Sequence, residues 1–250
     1  MKPEPISTLR DGLTVRGYLY RNSTEKKPVV LLSHAFLMDQ TMCVKYAEML
    51  AEAGYAAITY DFCGGGPKSI SDGSGRDMTL FTEKADMLAM LEYVKAQPFA
   101  DAEHITLLGC SQGAFVSALV AKERGDEIEK LILLYPPLNI PDDARSGKMI
   151  NYEFDPADIP DLLGSRPMEL GGDYARTVID LDPFEMIGGY DGPVLYLQGD
   201  ADKVVPLSYP RRAHTLYPHC SYVEIPGGGH IFRREPDEKA CELIMDFMAR

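Results

Sequence analysis

Apolar and polar residues follow two rhythms along this chain, a short-period one over brief blocks and a helical one over longer stretches. Residues 6–9 and 13–20 are extended stretches about Asp11-Gly12. Both residues of such a dipeptide accept positive φ, so a tight hairpin and an antiparallel start are predicted. After a polar loop at 22–27 come the apolar run 29–33, helical spacing in Tyr46, Met49, Leu50 and Ala53 that stops at Gly54, and a second apolar run at 56–61. Leu80, Met87, Leu88, Leu91 and Val94 share one face of a helix over 79–96. Strand 105–109, helix 112–123 and strand 131–135 follow, the last ended by Pro136-Pro137. Segments 194–197, 208–216 and 222–225 repeat strand, helix and strand, and Pro236 opens a closing helix, where its missing amide costs nothing. Such repetition packs as a parallel sheet with helices on both faces. The expected fold is therefore α/β, with about eight strands, mostly parallel.

The rhythm fails between Pro137 and Gly192, where Pro, Gly and Asp are frequent and only short helical patterns such as 174–180 survive. A structureless connection of that length is rare inside a domain unless it covers a site. Residues 138–189 are accordingly expected to form a small cap on a core made of residues 1–137 and 190–250.

Composition narrows the class. With 250 residues, 45% hydrophobic and 25% charged, the chain can bury one large core. Five cysteines, widely spaced and without a CxxC, suggest neither a disulfide framework nor a zinc site and fit a reducing cytoplasm. Charges and prolines interrupt the first twenty residues, and no apolar run approaches the ~20 residues of a membrane span, so neither targeting segment nor membrane partner is expected. A net charge of -13 repels phosphate backbones, which disfavours nucleic acid as a partner and suits a soluble protein. Assembly as a homodimer is left open.

Gly109-Cys110-Ser111-Gln112-Gly113 fits G-x-S-x-G between an apolar strand and a helix. Small flanking residues let the chain turn sharply and lift the serine oxygen, making Ser111 the candidate nucleophile. A serine hydroxyl needs a positioned base. Of the five histidines, His230 follows Gly227-Gly228-Gly229 after the last strand, where the order Ser, acid, His places the base. His104, His214 and His219 suit structural or solvated roles, and His34 is read as fixing the loop after its strand, without proton transfer. Two acids compete in Gly199-Asp200-Ala201-Asp202. Asp202 is preferred as the orienting acid because it must reach the imidazole from a loop, whereas Asp200 suits a turn. Two backbone amides must face the developing oxyanion. Gln112 supplies one, and Phe36, with Ala35 as the alternative, the other.

Over nearly its whole length the sequence resembles the α/β-hydrolase superfamily and, within it, the bacterial feruloyl (cinnamoyl) esterases. The closer likeness lies in Arg16-Gly17-Tyr18-Leu19-Tyr20, Asp61-Phe62-Cys63-Gly64-Gly65-Gly66-Pro67 with Ser71-Asp72-Gly73, Phe115-Val116-Ser117-Ala118, Asp142-Asp143-Ala144-Arg145, and the Gly199–Asp202 stretch with Val204-Val205-Pro206. The resemblance implies an ester of a hydroxycinnamic acid as small-molecule substrate, no metal or organic cofactor, and Asp143 and Tyr174 as cap residues that contact the aromatic hydroxyl. Helix capping by Asp143 and packing by Tyr174 are the plainer alternatives. His34 is grouped with these substrate-binding residues. His34-Ala35 stands where such hydrolases usually have His-Gly, and a methyl there bears on the oxyanion loop. The same three catalytic residue types also serve short-chain carboxylesterases, thioesterases and small peptidases, and the fold can act as a small-molecule receptor whose hydrolase site has decayed.

Overall fold

The chain reverses first at Asp11 and Gly12, whose φ values of 49° and 84° match the twist of the two strands they join. These are β1 (Glu4–Arg10) and β2 (Leu13–Tyr20), paired antiparallel with Arg10 opposite Leu13. The computed structural model describes residues 2–250. β3 (Lys27–Ser33) leads through a short 3₁₀ turn at Gln40–Cys43 to α1 (Val44–Glu52) and then β4 (Ala56–Tyr60). A glycine-rich loop separates β4 from α2 (Leu80–Lys95), whose start is fixed by a capping box between Thr79 and Thr82. β5 (Ala100–Cys110), α3 (Gln112–Arg124) and β6 (Lys130–Leu134) follow.

Between β6 and the next strand of the main sheet lies an insertion of small elements. It holds α4 (Ile140–Ser146), the antiparallel pair β7 (Lys148–Met149) and β8 (Tyr152–Glu153), the antiparallel pair β9 (Leu162–Gly164) and β10 (Leu170–Gly171), α5 (Asp173–Arg176) and α6 (Pro183–Ile187). The main sheet resumes with β11 (Val194–Gly199), α7 (Ser208–Ala213) and β12 (Cys220–Ile225), and α8 (Glu235–Met248) closes the chain.

Eight strands form the main sheet in the order β1-β2-β4-β3-β5-β6-β11-β12. β1 and β2 run antiparallel at one edge, and the other six are parallel. Side chains of the central strands alternate between two cores. Val29, Leu31, Leu107, Leu131 and Leu133 face α2, α3 and the insertion, while Val30, Leu32, Leu108, Ile132 and Leu134 face α1 and α8. Each such fully buried side chain contributes roughly 1.5–3 kcal/mol. Register brings Ser33, Gly109 and Leu133 level, so the loops after β3, β5 and β6 emerge together at the carboxyl edge of the sheet, where open α/β sheets place their sites.

The structure differs from the sequence reading at several element ends, with α5 stopping at Arg176 and α7 at Ala213, short of the helices read over 174–180 and 208–216. β5 begins at Ala100, earlier than the predicted 105, because its polar start pairs with Lys27 and Pro28 through backbone bonds before a register shift at Val29. The hairpins of the insertion, with strands of two or three residues, are too short to show any alternation in sequence. No helix among the described residues is long and apolar enough to cross a membrane.

Candidate active site

Ser111 occupies the turn between β5 and α3 with φ 52° and ψ -120°, a strained conformation for a residue with a side chain. The surroundings hold it there. Its N–H donates to Leu134 O at 2.8 Å, and its carbonyl accepts from Ala114 N at 2.8 Å. Only glycine fits on either side: a Cβ on Gly109 would lie 2.3 Å from Gly113 O, and one on Gly113 would lie 2.5 Å from Ser33 O. The backbones of β3, β5 and α3 thus meet directly beneath the serine.

Ser111 Oγ lies 2.7 Å from His230 Nε2, and His230 Nδ1 lies 2.9 Å from Asp202 Oδ2. Asp202 carries no exposed side-chain surface. Burial alone would raise its pKa, but the bond and charge of His230 and the amides of Val205 and Val204 outweigh that and hold the carboxyl below the usual range. An ionised carboxylate only accepts, so Nδ1 carries the imidazole proton and Nε2 is left to take one from Ser111. Glycine again permits the approach of the two loops, since a Cβ on Gly199 would lie 2.1 Å from Gly228 O. Asp200 serves the turn, accepting the Gly227 N–H at 2.7 Å. Sequence reasoning passed over Gln198, which donates to Asp202 Oδ2 at 2.7 Å; its signal was a lone amide in an otherwise apolar buried strand.

On the other side of Ser111 the loop after β3 is tied down by Leu37 N–H to Gly65 O and Met38 N–H to Ala35 O, both 3.1 Å. Among the described residues the intervening Phe36 amide and the Gln112 amide at the start of α3 donate to no protein group. Positive φ in this loop falls on Leu37, at 64°, and not on Ala35, so the alanine is no obstacle to the loop's conformation.

His34 requires a correction. It was grouped with the substrate-binding residues, but it is 1% exposed and absent from the cavity wall. Its Nε2 accepts the Phe62 N–H at 3.1 Å and its Nδ1 faces Ala35 O at 2.8 Å. Burial pushes its pKa down, and both ring nitrogens are spent on backbone.

A second set of buried polar groups lies behind Gln112. Its Nε2 donates to Glu83 Oε2 at 2.7 Å, and its Oε1 accepts the hydroxyl of Tyr174. Glu83 is fully buried, and desolvation pushes its carboxyl well above the usual range. Nothing in the sequence marked Glu83, because a glutamate on a helix is ordinarily solvated.

A cavity of about 480 Å³ opens over Ser111 and His230, within the ~300–1,000 Å³ typical of small-molecule sites. Phe36, Ile140, Ile150, Tyr174 and Val204 supply apolar wall, and Asp143 is its one carboxyl. Burial raises that carboxyl to about 6, against the opposing effect of a 2.7 Å bond from Asn139 Nδ2. The Tyr174 ring stacks obliquely on Phe36, with centroids 5.5 Å apart. No group of three or more His, Cys, Asp or Glu side chains among the described residues is arranged to hold a metal ion.

An elbow serine on a mostly parallel eight-stranded sheet, joined to a histidine and a buried carboxylate in that chain order, defines a serine hydrolase of the α/β-hydrolase class. The sequence model of the serine aminopeptidase S33 family matches residues 24–158, and the chain belongs to that family. Among solved structures, Est1E from Butyrivibrio proteoclasticus, determined with ferulic acid bound, is 31% identical, covers 98% of this chain and all of its own, and superimposes with a TM-score of 0.87. The kinship places the chain among α/β-hydrolase serine esterases that resemble feruloyl esterases. A putative non-heme chloroperoxidase of Synechocystis is 24% identical over 92% of this chain and 94% of its own length. The enol-lactonase of Burkholderia xenovorans, 16% identical with a TM-score of 0.74 over 98% of this chain and all of its own, shares the fold.

Proposed function

We propose that the protein hydrolyses esters of hydroxycinnamic acids, such as ferulate and p-coumarate, through an acyl-enzyme on Ser111. Asp143 carries this reading: it is the one carboxyl of a largely apolar cavity that also contains Ser111 and His230, suited to accept a phenolic hydroxyl from a flat aromatic acid. The 31% identity to a protein solved with ferulic acid supports it.

In this mechanism His230 Nε2 takes the Ser111 proton as Oγ bonds the ester carbonyl carbon. The carbonyl oxygen becomes an oxyanion facing the Phe36 and Gln112 amides, with the amino end of α3 beneath. Collapse of the tetrahedral intermediate breaks the bond to the alcohol, which leaves with the proton from His230. Water then adds to the acyl carbon, giving a proton to His230. The bond to Oγ breaks, Ser111 recovers its proton, and the free acid departs.

The family's aminopeptidase description offers a second reading, in which Asp143 pairs with a substrate ammonium. Lys148 and Lys203 share the cavity wall with that single carboxyl, a poor setting for a substrate cation and no hindrance to a neutral phenol. Rates on methyl p-coumarate, methyl cinnamate, a butyrate ester and an aminoacyl anilide separate the readings. A buried hydrogen bond to a charged group is worth about 1.5–3 kcal/mol, so p-coumarate should exceed cinnamate by about tenfold or more in kcat/KM, with Ser111→Ala inactive on both. Equal rates on the two cinnamates, or fastest turnover of the anilide, would refute the hydroxycinnamate assignment.

A further inference from the structure

Asn139 stands at the head of α4, the position where an asparagine side chain ordinarily caps a helix, yet it makes no capping bond. Its amide is spent instead on a side chain one turn further along α4 and on a distant backbone carbonyl. Nδ2 donates to Asp143 Oδ2 at 2.7 Å and to the Val204 carbonyl at 3.2 Å. Two acceptors on one atom fix the orientation of the amide, because the reversed amide would set oxygen against oxygen. Oδ1 meanwhile is buried without a partner, a cost that only the other two bonds offset.

Val204 is also part of the loop that shapes the acid of the triad. Its N–H donates to Asp202 Oδ1 at 2.7 Å, and Val205 N–H donates to the same oxygen at 3.0 Å. Bonds therefore run without a break from Asp143 through Asn139 and the Val204 backbone to Asp202, His230 and Ser111. One end of this path is the acid on the cavity wall and the other is the nucleophile.

We infer that Asn139 is a positioning residue whose single amide sets both the acid that reads the substrate's phenolic hydroxyl and the loop that holds Asp202. The inference rests on the proposed role of Asp143. A residue with this role governs selectivity and turnover together, whereas a residue that only braces the fold governs neither apart from stability.

The charged and titratable groups around Asp143 are Asp142 and Arg145 on α4, Tyr174 on α5, Tyr209 on α7, and Lys148, Lys203 and His230 on the cavity wall. Among the described residues none of them donates a hydrogen bond to its carboxyl, which leaves Asn139 as the side chain that does. Ionised Asp143 accepts a phenol more strongly than neutral Asp143. Preference for p-coumarate over cinnamate should therefore rise with pH through about 6 in the native protein.

The test measures kcat and KM for methyl p-coumarate and methyl cinnamate from pH 5 to 8 in the native protein, Asn139→Ala, Asn139→Asp and Asp143→Asn, with thermal unfolding as the check on folding. Asn139→Ala should lower the preference about fivefold to tenfold at pH 7, move its rise to higher pH, and reduce kcat on cinnamate about threefold. Asn139→Asp, nearly isosteric, should lose the preference at pH 8 and regain part of it at pH 5, where a proton shared between the two carboxyls restores the bond. A folded Asn139→Asp protein with the native preference, pH profile and cinnamate kcat overturns the inference. Asp143→Asn should bring the preference near one at every pH; if it does not, the hydroxycinnamate reading fails instead.

Discussion

His230 Nδ1 lies 2.9 Å from Asp202 Oδ2, while the other carboxylate oxygen is taken by the amides of Val204 and Val205. This division decides what Asp202→Asn would do. The new carboxamide oxygen would turn to the two backbone amides, leaving its NH₂ against Nδ1 and against the donor of Gln198. His230 would be driven to carry its proton on Nε2, where it cannot accept from Ser111. We expect kcat to fall by about 10³–10⁴ with little change in unfolding midpoint. Steady-state kinetics on an activated ester checks this, and a loss under tenfold would mean that Asp202 does not set the tautomer.

The elbow gives a prediction about stability and activity together. A Cβ at Gly113 would sit 2.5 Å from Ser33 O and 2.6 Å from His34 O, both backbone atoms that cannot move aside cheaply. Gly113→Ala should cost about 3 kcal/mol in urea unfolding and displace the Gln112 amide, cutting turnover. Gly188→Ala is the control: its Cβ would meet nothing closer than 3.7 Å, and its effect should stay within about 0.5 kcal/mol.

These glycines show what the sequence could reveal and what it could not. Strand and helix periodicity located the main elements, and the GxSxG spacing pointed to Ser111, because strand, turn and helix are local and write themselves into consecutive residues. The bonds that tie distant segments together leave no such trace. Nothing in the sequence singled out Asn139 or Glu83, since their partners Val204 and Gln112 lie 65 and 29 positions away. His34 was read as fixing its loop, and the backbone bonds of its ring describe that role; its place among substrate contacts failed because the ring forms no part of the cavity wall.

Glu83 makes stability depend on pH in a direction opposite to an ordinary paired carboxylate. Its folded pKa is raised well above 4.5, so over that interval the folded protein keeps a proton that the unfolded chain has released. Stability from this group is full below about 4.5 and is lost as pH rises toward the folded value, at up to ~1.4 kcal/mol per pH unit. Glu83→Gln keeps an oxygen for the Gln112 amide and removes the titration. The variant should match the native protein near pH 4.5 and exceed it increasingly from pH 5 to 8 in urea unfolding. A difference that stays constant with pH would show that Glu83 ionises normally.

Tyr174 separates a direct contact from an indirect one. Its hydroxyl donates to Gln112 Oε1, the side chain of a residue whose backbone amide faces the proposed oxyanion, while its ring forms cavity wall beside Phe36. Tyr174→Phe keeps the ring and leaves a buried amide oxygen unpaired, at a cost of about 1–3 kcal/mol in stability. With that support gone, the Gln112 side chain is held through its Nε2 alone, by Glu83 and a long contact to Met78 Sδ, and its backbone amide loses definition for every ester alike. We expect kcat/KM to fall by one common factor, about threefold to tenfold, on methyl p-coumarate and methyl cinnamate. A loss confined to p-coumarate would instead make the Tyr174 hydroxyl a direct contact for the phenol, sharing the recognition here given to Asp143.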